Sequence, residues 1–330
     1  MKIRSIKLPE DFDILSEMIL NSFQYPENPD WDIEEDEKKE FARTVKSFKK
    51  MWPLFNILGI FSKTVKNLLV GSIAEENNVP AGVIMYQQNG KTDKWEISTV
   101  GVLPKFRRRG IARKLVETGI EHIKELGGKI ICLDVISGNL PAYTLYKEVG
   151  FEHYSGISEM QFNNERNTDV VELPEGVELI KTDQFDWQPR YDLFEKITPE
   201  DVKKYEPIEV GRFKQPIVMR IIVPIITFAQ GIDRIYQLVS VNGEIVGRIS
   251  INIKKKPGGK HFLSLYLNEK YAELCDVLSK YSINQINQLG ELRGITSIAS
   301  RWQPHVNEAL IENGFEIKVE GHRLGLILEK

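Results

Sequence analysis

An order of elements that occurs twice is the feature that most constrains the fold of this chain. In each half the residue pattern predicts a hairpin, a further strand, a long helix, a strand and a short helix. One closing strand follows in the first half, and a pair of strands that starts at Phe315 follows in the second. Both short helices end at the same three residues, Gly150-Phe151-Glu152 in the first half and Gly314-Phe315-Glu316 in the second. We interpret this repeat as a duplication. A length of 330 residues fits two domains of about 150 residues each.

The expected fold class is α/β, with helices and strands mixed around the sheet of each domain. Residues Lys129 to Ile136 are nearly all apolar, which is typical of a strand covered on both faces. The composition turns polar near Asn163, and Pro174-Glu175-Gly176 follows. We therefore expect two domains, 1–165 and 166–330.

Charge and residue counts exclude several classes of function. Lys and Arg total 44 against 47 Asp and Glu, a net charge of −3, which argues against general binding to nucleic acids or membrane surfaces. The sequence contains no apolar run of membrane-spanning length and no signal peptide at its start, so a cytoplasmic location is expected. Cys132 and Cys275 are too few for a metal cage or a disulfide framework. No metal site is expected, because metal-binding spacing is absent among the histidines, which are His122, His153, His261, His305 and His322.

The segment from Val102 to Ala112 predicts an anion site. A strand ends at Pro104, the cationic turn Arg107-Arg108-Arg109 follows, and Gly110 opens a helix. Backbone N–H groups at the start of a helix have no partner inside the helix and attract phosphate groups, and a glycine leaves room for close approach. The alternative is a solvated basic turn at the start of a surface helix.

Two motifs in this half resemble those of the GCN5-related N-acetyltransferase (GNAT) superfamily. Arg107-x-x-Gly110-x-Ala112 is similar to the family's Gln/Arg-x-x-Gly-x-Gly/Ala signature, and Asn139-x-x-Ala142-x-x-Leu145-Tyr146-x-x-x-Gly150-Phe151 resembles the block that follows it. The resemblance covers roughly residues 1 to 160. It implies two tandem GNAT-like domains, the first of which uses acetyl-coenzyme A to acylate an amine of a small molecule or a peptide.

The resemblance also implies which residues bind the coenzyme. Backbone groups of the preceding strand would pair with the pantetheine arm, and these belong to Val100, Gly101 and Val102. Loop amides would hold the pyrophosphate, and the loop residues are Arg107, Arg108, Arg109, Gly110, Ile111 and Ala112. Asn139 would hydrogen-bond the coenzyme arm, cap the short helix, or do both.

Two further residues would take part in the chemical step. Tyr146 resembles the family tyrosine that protonates the departing thiolate, and a phenol with a pKa of about 10 is a ready donor at neutral pH. Its alternative is a tyrosine packed on the core. Glu96 lies on the strand where several family members carry a general base, although a solvent-exposed glutamate fits the pattern equally well. We expect direct attack by the amine, because no motif histidine lies near Cys132 to activate it as a nucleophile.

The second half lacks these signals. Aligned through the Gly-Phe-Glu triplets, Asn139 corresponds to Gln303, and Tyr146 corresponds to Leu310. The turn from Leu267 to Glu273 contains two acids and no glycine or arginine, which would repel a pyrophosphate. The second domain therefore resembles a degenerate copy without a coenzyme site.

The acceptor and the oligomeric state are not predicted. The insert from Pro26 to Lys66 contains an acidic run that could attract a cationic amine, and its apolar residues, Trp52, Phe55, Leu58, Ile60 and Phe61, could line a slot. A solvated charged face and an ordinary core helix are the alternatives. Two other functions stay open at this point, a non-catalytic coenzyme A sensor and a protein-binding scaffold.

Overall fold

The computed structural model describes residues 1–22, 24, 35–61, 70–163, 171–183 and 185–328, and the chain divides into two compact units. Unit 1 comprises Met1–Tyr154 together with Arg323–Lys330, and unit 2 comprises Ser155–His322. The expected boundary after residue 165 therefore lies inside unit 2. The reason is that two long strands, Glu152–Phe162 and Glu316–Ile327, each have residues in both units.

Unit 1 consists of strands and helices in alternation. Its strands are β1 (Lys2–Ser5), β2 (Val70–Glu76), β3 (Val79–Gln88), β4 (Lys94–Val102) and β5 (Ile130–Ile136), followed by the start of β6 (Glu152–Phe162). Its helices are α1 (Phe12–Ser22), α2 (Glu35–Phe61), α3 (Ile111–Glu125) and α4 (Leu140–Val149). The strand order is β1-β2-β3-β4-β5, with β4 and β5 parallel and the other pairs antiparallel.

Helices cover both faces of this sheet. Leu15 and Met18 of α1 pack against Ile73 and Val83 on one face. On the other face, α3 contributes Leu115 to a larger core that includes Trp95, Ile131, Tyr146 and Phe151. The middle of β3 and most of β5 are buried on both faces, as the nearly all-apolar composition of β5 predicts.

Strand β4 separates from β5 halfway along its length. The two strands pair only over Lys94–Ile97 and Ile130–Leu133, whereas β4 continues to pair with β3 as far as Val102. The register with β3 shifts between Met85 and Tyr86, and Ser98 is the extra residue that this β-bulge inserts into β4. Beyond the bulge, one edge of β4 is therefore left without a strand partner in the described part of unit 1.

The last strand of the chain, β12 (Glu316–Ile327), ends in unit 1 beside β5. The Arg323 Nε donates to Asp134 Oδ1 at 2.9 Å, and the Leu328 amide donates to the Lys129 carbonyl at 2.8 Å. Leu324 is fully buried in the core that contains Trp95. The first domain thus contains residues from the far end of the sequence, although the predicted bounds of 166–330 place them in the second domain.

Unit 2 repeats this plan. Its strands are β7 (Val177–Thr182), β8 (Ile232–Val241), β9 (Glu244–Lys254), β10 (His261–Leu267) and β11 (Ile295–Ser300), with most of β6 and the first part of β12. Its helices are α5 (Gln188–Ile197), α6 (Glu200–Lys203), α7 (Val210–Phe213), α8 (Met219–Gln230), α9 (Cys275–Leu289) and α10 (Pro304–Glu312). As in unit 1, one pair of central strands, β10 and β11, is parallel.

Several predicted elements are confirmed closely, and one is wrong. The hairpin turn at Asn242-Gly243 has both residues at positive φ, 50° and 82°, as a two-residue turn of this type requires. Phe315, however, is followed by the single long strand β12 and not by a pair of strands. Among the helices of the described residues, none has both the length and the apolar character needed to cross a membrane.

Candidate active site

Unit 1 contains a cavity of about 680 Å³ where β4 and β5 separate. One wall is the end of β4 with the loop that leads into α3, and the opposite wall is the start of α4. Sixteen residues line the cavity, namely Ser22, Val100, Val102, Phe106, Arg107, Arg108, Gly110, Ile111, Ala112, Arg113, Gly138, Asn139, Pro141, Ala142, Leu145 and Tyr146.

Most of the predicted site residues meet in this cavity. Those that line it are Val100, Val102, Arg107, Arg108, Gly110, Ile111, Ala112, Asn139 and Tyr146. Three predicted residues do not line it, and these are Glu96, Gly101 and Arg109. The two motifs identified in the sequence are therefore adjacent in space, although β5 lies between them in the chain.

The loop before α3 has the geometry of an anion cradle. Arg108 and Gly110 both adopt left-handed backbone conformations, with φ of 62° and 75°. The first hydrogen bond inside α3 runs from the Lys114 amide to the Gly110 carbonyl, so the amides of the first turn have no acceptor within the helix. A Cβ built at Gly110 would meet no atom within 4 Å. The space beside these amides is therefore open, and the helix dipole favours a negative group there.

The three arginines of the turn have different partners. Arg107 donates from Nε to the Val102 carbonyl at 3.2 Å and from Nη2 to the Ser22 and Gln24 carbonyls, both at 3.1 Å. Its guanidinium thus ties the end of α1 to the end of β4. This contact is structural, and it differs from the expectation that every arginine of the turn offers its charge to a pyrophosphate.

Arg109 is also held away from the cavity. It forms an ion pair with Glu76 at 2.7 Å and lies over the Phe106 ring, with its Cζ 5.5 Å from the ring centroid. Arg108 is exposed and lines the cavity. Arg113 lines it as well and forms an ion pair with Glu148. The cationic residues that line the cavity are therefore Arg107, which is held by neutral carbonyl groups, the exposed Arg108, and Arg113, which is paired with Glu148.

The alternation of side chains along β4 explains why Gly101 lies outside the cavity. Val100 and Val102 line the cavity, whereas Gly101 faces α1, where a Cβ would come within 2.7 Å of the Ser22 Cβ. The glycine is needed for the close approach of α1 to the sheet. The backbone edge of β4 beyond Ser98 remains available to an extended ligand, because β5 has already separated from it.

Asn139 and Tyr146 belong to the opposite wall. The Asn139 Oδ1 accepts from the Ala142 amide at 3.2 Å, so the residue caps α4, as one of its two predicted roles requires. Tyr146 lies on α4, on the cavity wall opposite the cradle, and is 7% exposed. Its ring packs edge to face against Phe151, with ring centroids 6.0 Å apart. Both residues border the cavity while they also support the fold.

Glu96 lies in a charged cluster outside the cavity. Its carboxylate is 3.5 Å from the Arg323 Nη2, and the Arg323 Nε donates to Asp134 at 2.9 Å. The Arg323 side chain is 17% exposed, so this contact is partly shielded from water. Glu96 is therefore in contact with a guanidinium and does not line the cavity. Sequence reasoning could not find this partner, because Arg323 comes from the far end of the chain.

The corresponding strand end in unit 2 has a protein side chain bound to its backbone. Strand β10 pairs with β11 only over His261–Leu263 and then separates from it, as β4 does from β5. The Gln303 Oε1 accepts from the Leu267 amide at 2.9 Å, and Leu310 is fully buried in the core. Gln303, which aligns with Asn139, thus occupies a backbone amide at the end of β10, and Leu310, which aligns with Tyr146, has no hydroxyl to donate.

Other expectations concern metal sites and the insert. Within the described residues, no group of three or more His, Cys, Asp and Glu side chains is placed to hold a metal ion. Of the acidic run from Glu27 to Glu40, residues 27–34 lie outside the part of the chain that the structure describes, as do the side chains of Phe55, Leu58, Ile60 and Phe61. Trp52 contacts Phe12 of α1 edge to face, with ring centroids 5.5 Å apart.

Comparison with known proteins shows that most residues of this site lie in a segment similar to a known family. Residues 26–151 match the model of the acetyltransferase (GNAT) family. A mycothiol acetyltransferase from Corynebacterium glutamicum is 38% identical over 56 residues, which are 17% of this chain and 19% of that protein. An uncharacterized N-acetyltransferase from Methanocaldococcus jannaschii is 35% identical over 85 residues, which are 24% of this chain and 38% of that protein. The chain therefore covers well under half the length of these relatives.

Solved structures resemble the whole chain. A GCN5-related N-acetyltransferase from Sphaerobacter thermophilus has a TM-score of 0.65 at 13% identity. The aligned region covers 99% of this chain and 96% of that chain. A tandem GNAT protein from the clavulanic acid biosynthesis pathway has a TM-score of 0.60 at 10% identity. The aligned region covers 100% of this chain and 99% of that chain. At these identities the likeness establishes the fold, which is that of two tandem GNAT-like domains.

Proposed function

We propose that this chain is an acetyl-coenzyme A-dependent N-acetyltransferase, since its residues 26–151 match the model of the acetyltransferase (GNAT) family. The acceptor would be an amine of a small molecule or a peptide. The observation that carries the proposal is the open cradle at Gly110, where a backbone without Cβ, the first turn of α3 and Arg108 face one cavity. These groups suit a pyrophosphate.

The remaining walls suit the rest of the coenzyme. The unpaired edge of β4 after Ser98 offers N–H and C=O groups to the amides of a pantetheine arm, as an added strand would use them. Asn139 stands across the cavity, and its Oδ1 is already engaged with the Ala142 amide, which leaves its Nδ2 as a donor toward the ligand. When bound, acetyl-coenzyme A supplies the acyl group and a thiolate leaving group.

The chemical step needs one proton acceptor and one proton donor. The amine nitrogen forms a bond to the acetyl carbon, the carbon–sulfur bond breaks, and the amine loses a proton. In this proposal Tyr146, which lines the cavity, donates its hydroxyl proton to the departing sulfur. Glu96 takes the amine proton in this proposal, either through water or after Arg323 shifts away from it. No covalent acyl-enzyme is needed, because both cysteines are buried.

The test is turnover measured against a panel of amines, with release of the coenzyme thiol as the signal. Tyr146→Phe removes only the hydroxyl, and we expect kcat to fall by about 10²–10⁴-fold while the affinity for coenzyme A stays within about twofold. Tyr143→Phe is the matched control, since Tyr143 lies on the same helix and does not line the cavity. Full activity of the Tyr146 variant would refute its role as proton donor.

A non-catalytic coenzyme A sensor is the second candidate. The position of Glu96 outside the cavity favours it, because a general base must lie within hydrogen-bond reach of the proton that it takes, directly or through one water. Tight coenzyme A binding without turnover on any amine of the panel would support the sensor and contradict the enzyme. Absence of coenzyme A binding would contradict both.

A further inference from the structure

Helix α8 of unit 2 is apolar on both of its faces. Ile222 is buried where the helix packs on β8. The outer face carries Ile221, Ile225 and Phe228, which recur at helical spacing, and Ile217 lies on the turn that opens the helix. A surface helix normally turns a polar face to water, whereas a helix that is apolar all round is normally covered on all sides. The composition of α8 is therefore that of a helix with a second apolar partner.

The outer apolar side chains of α8 protrude into solvent. Phe228 is 84% exposed and Ile217 is 82% exposed, and no other large apolar side chain among the described residues is as exposed. Ile221 is 59% exposed, and Ile225 is exposed as well. We name these four residues the α8 stripe. Single exposed apolar residues are common on protein surfaces, but a contiguous stripe of them marks an interaction surface.

The segment that contains the α8 stripe carries positive charge only. Residues 210–232 include three basic residues and no Asp or Glu, although the whole chain has a net charge of −3. One of the three, Arg212, forms an ion pair with Glu206 from outside the segment. The other two, Lys214 and Arg220, are exposed. The stripe therefore lies in a local excess of positive charge.

Three exposed cations near the stripe contact neutral groups. Lys214 and Arg220 each lie over an aromatic ring, with the charged group 5.5 Å from the ring centroid. At the other end of α8, the Lys256 Nζ donates to the Ala229 carbonyl at 2.6 Å. In the part of the chain that the structure describes, the side-chain contacts of these three residues include no carboxylate. Their charge is therefore available to an anionic partner.

These charges discriminate between the kinds of partner that could cover the stripe. Pairing with the stripe of a second copy would bring the cations of both chains together, in a segment that supplies no acid, and like charges across an interface oppose association. A surface of negative charge is complementary instead. Side chains that protrude as far as Ile217 and Phe228 also need a matching groove in a protein partner, whereas a fluid bilayer accepts them without one.

We propose that the α8 stripe is a docking surface for an anionic lipid bilayer. The four apolar side chains insert below the lipid headgroups, and Lys214, Arg220 and Lys256 interact with the negative charge of the headgroups. An apolar helix face bordered by basic residues is the pattern of helices that lie in the plane of a membrane interface. This surface lies within unit 2, and it does not depend on the acetyl transfer proposed for unit 1.

The experiment is co-sedimentation of the full chain with vesicles, one set of phosphatidylcholine alone and one of equal parts of phosphatidylcholine and phosphatidylserine. We expect the chain to sediment with the anionic vesicles and not with the neutral ones. Salt should weaken this binding, because the screening length falls from about 10 Å at about 0.1 M to about 3 Å at about 1 M. Arg220→Gln removes one charge and should weaken binding to the anionic vesicles about fivefold.

Two isoleucine variants test the apolar contact. Ile221→Ser removes one side chain of the stripe and should weaken binding about tenfold. Ile311→Ser is the matched control, because Ile311 is also exposed on a helix, at 45%, and lies outside the stripe. Both side chains are exposed, so both variants should unfold at the same urea concentration as the parent chain. Phe228→Ser repeats the test if the Ile221 variant is less stable.

Each outcome decides the proposal. Binding to anionic vesicles that Ile221→Ser weakens and Ile311→Ser leaves intact supports it. No sedimentation with either vesicle, equal sedimentation with both, or equal loss in the two isoleucine variants would overturn it. A dimer in sedimentation equilibrium that Ile221→Ser dissociates, without any vesicle binding, would assign the stripe to a second copy of the chain and would also overturn the lipid proposal.

Discussion

Gly110 offers a sharp test of the coenzyme site, because a second glycine at the other end of α3 provides a control. Gly110 and Gly127 flank the helix, both have left-handed backbones, with φ of 75° and 87°, and a Cβ at either would meet no atom within 4 Å. An alanine at a left-handed position costs about 1–2 kcal/mol through its own backbone. Gly110→Ala and Gly127→Ala should therefore lower the free energy of unfolding by similar amounts.

Their effects on coenzyme A should differ. Gly110 lines the cavity and Gly127 does not, so only a methyl group at residue 110 enters the space in which a pyrophosphate would lie. A lost hydrogen bond to a charged group costs about 1.5–3 kcal/mol. One such loss corresponds to a Kd roughly 10- to 100-fold weaker. Gly110→Asp adds a like charge to the steric effect and should weaken binding further.

Calorimetric titration with coenzyme A gives the affinity, and urea unfolding of the same samples gives the stability. The expected pattern is equal destabilisation in the two alanine variants and loss of affinity in Gly110→Ala alone. Unchanged affinity in Gly110→Ala would refute the phosphate cradle. Equal loss of affinity in both variants would show that general destabilisation, and not local obstruction, is the cause.

Three further outcomes follow from the structure. Coenzyme A should bind once per chain, because Gln303 occupies the Leu267 amide in unit 2; a calorimetric stoichiometry of two would contradict this. Leu324→Ala should destabilise unit 1 by about 2–5 kcal/mol in urea unfolding, since Leu324 is fully buried in its core; a change below about 1 kcal/mol would contradict that packing. Burial lowers the pKa of His261, whose Nδ1 accepts from the Lys254 amide, so the unfolded state binds the proton more readily. The free energy of unfolding should therefore fall as the pH drops below about 6.5, and His261→Gln should flatten that dependence between pH 5 and about 7.

Local signals in the sequence were sufficient to predict most elements of unit 1. Helix α4 begins at the Asn139 cap and ends at Gly150, whose φ of 107° only a glycine adopts readily. The turn between β2 and β3 occupies Asn77 and Asn78, both at positive φ, as their residue type suggests. Each of these features is decided by residues that are close together in the chain.

Contacts between distant residues could not be predicted in this way. The basic turn predicts three arginines at a phosphate, yet Arg107 instead binds carbonyls of Ser22 and Gln24, which precede it by more than eighty residues. Glu96 was placed on the correct strand, but its partner Arg323 could not be inferred from any nearby pattern. The helices between β7 and β8 in unit 2 were not predicted from the sequence either.

Because the end of β12 belongs to unit 1, the first domain cannot be completed until the ribosome has made the end of the chain. Asp134 and its partner Arg323 are 189 residues apart, so the strand position beside β5 stays empty while all of unit 2 is being synthesised. Closing so long a loop is slow compared with local folding, and an empty strand position is a site for wrong pairing until it is filled. A nascent chain that stalls before Arg323 should therefore show the N-terminal domain as protease-sensitive, even though nearly all of its own sequence has left the ribosome.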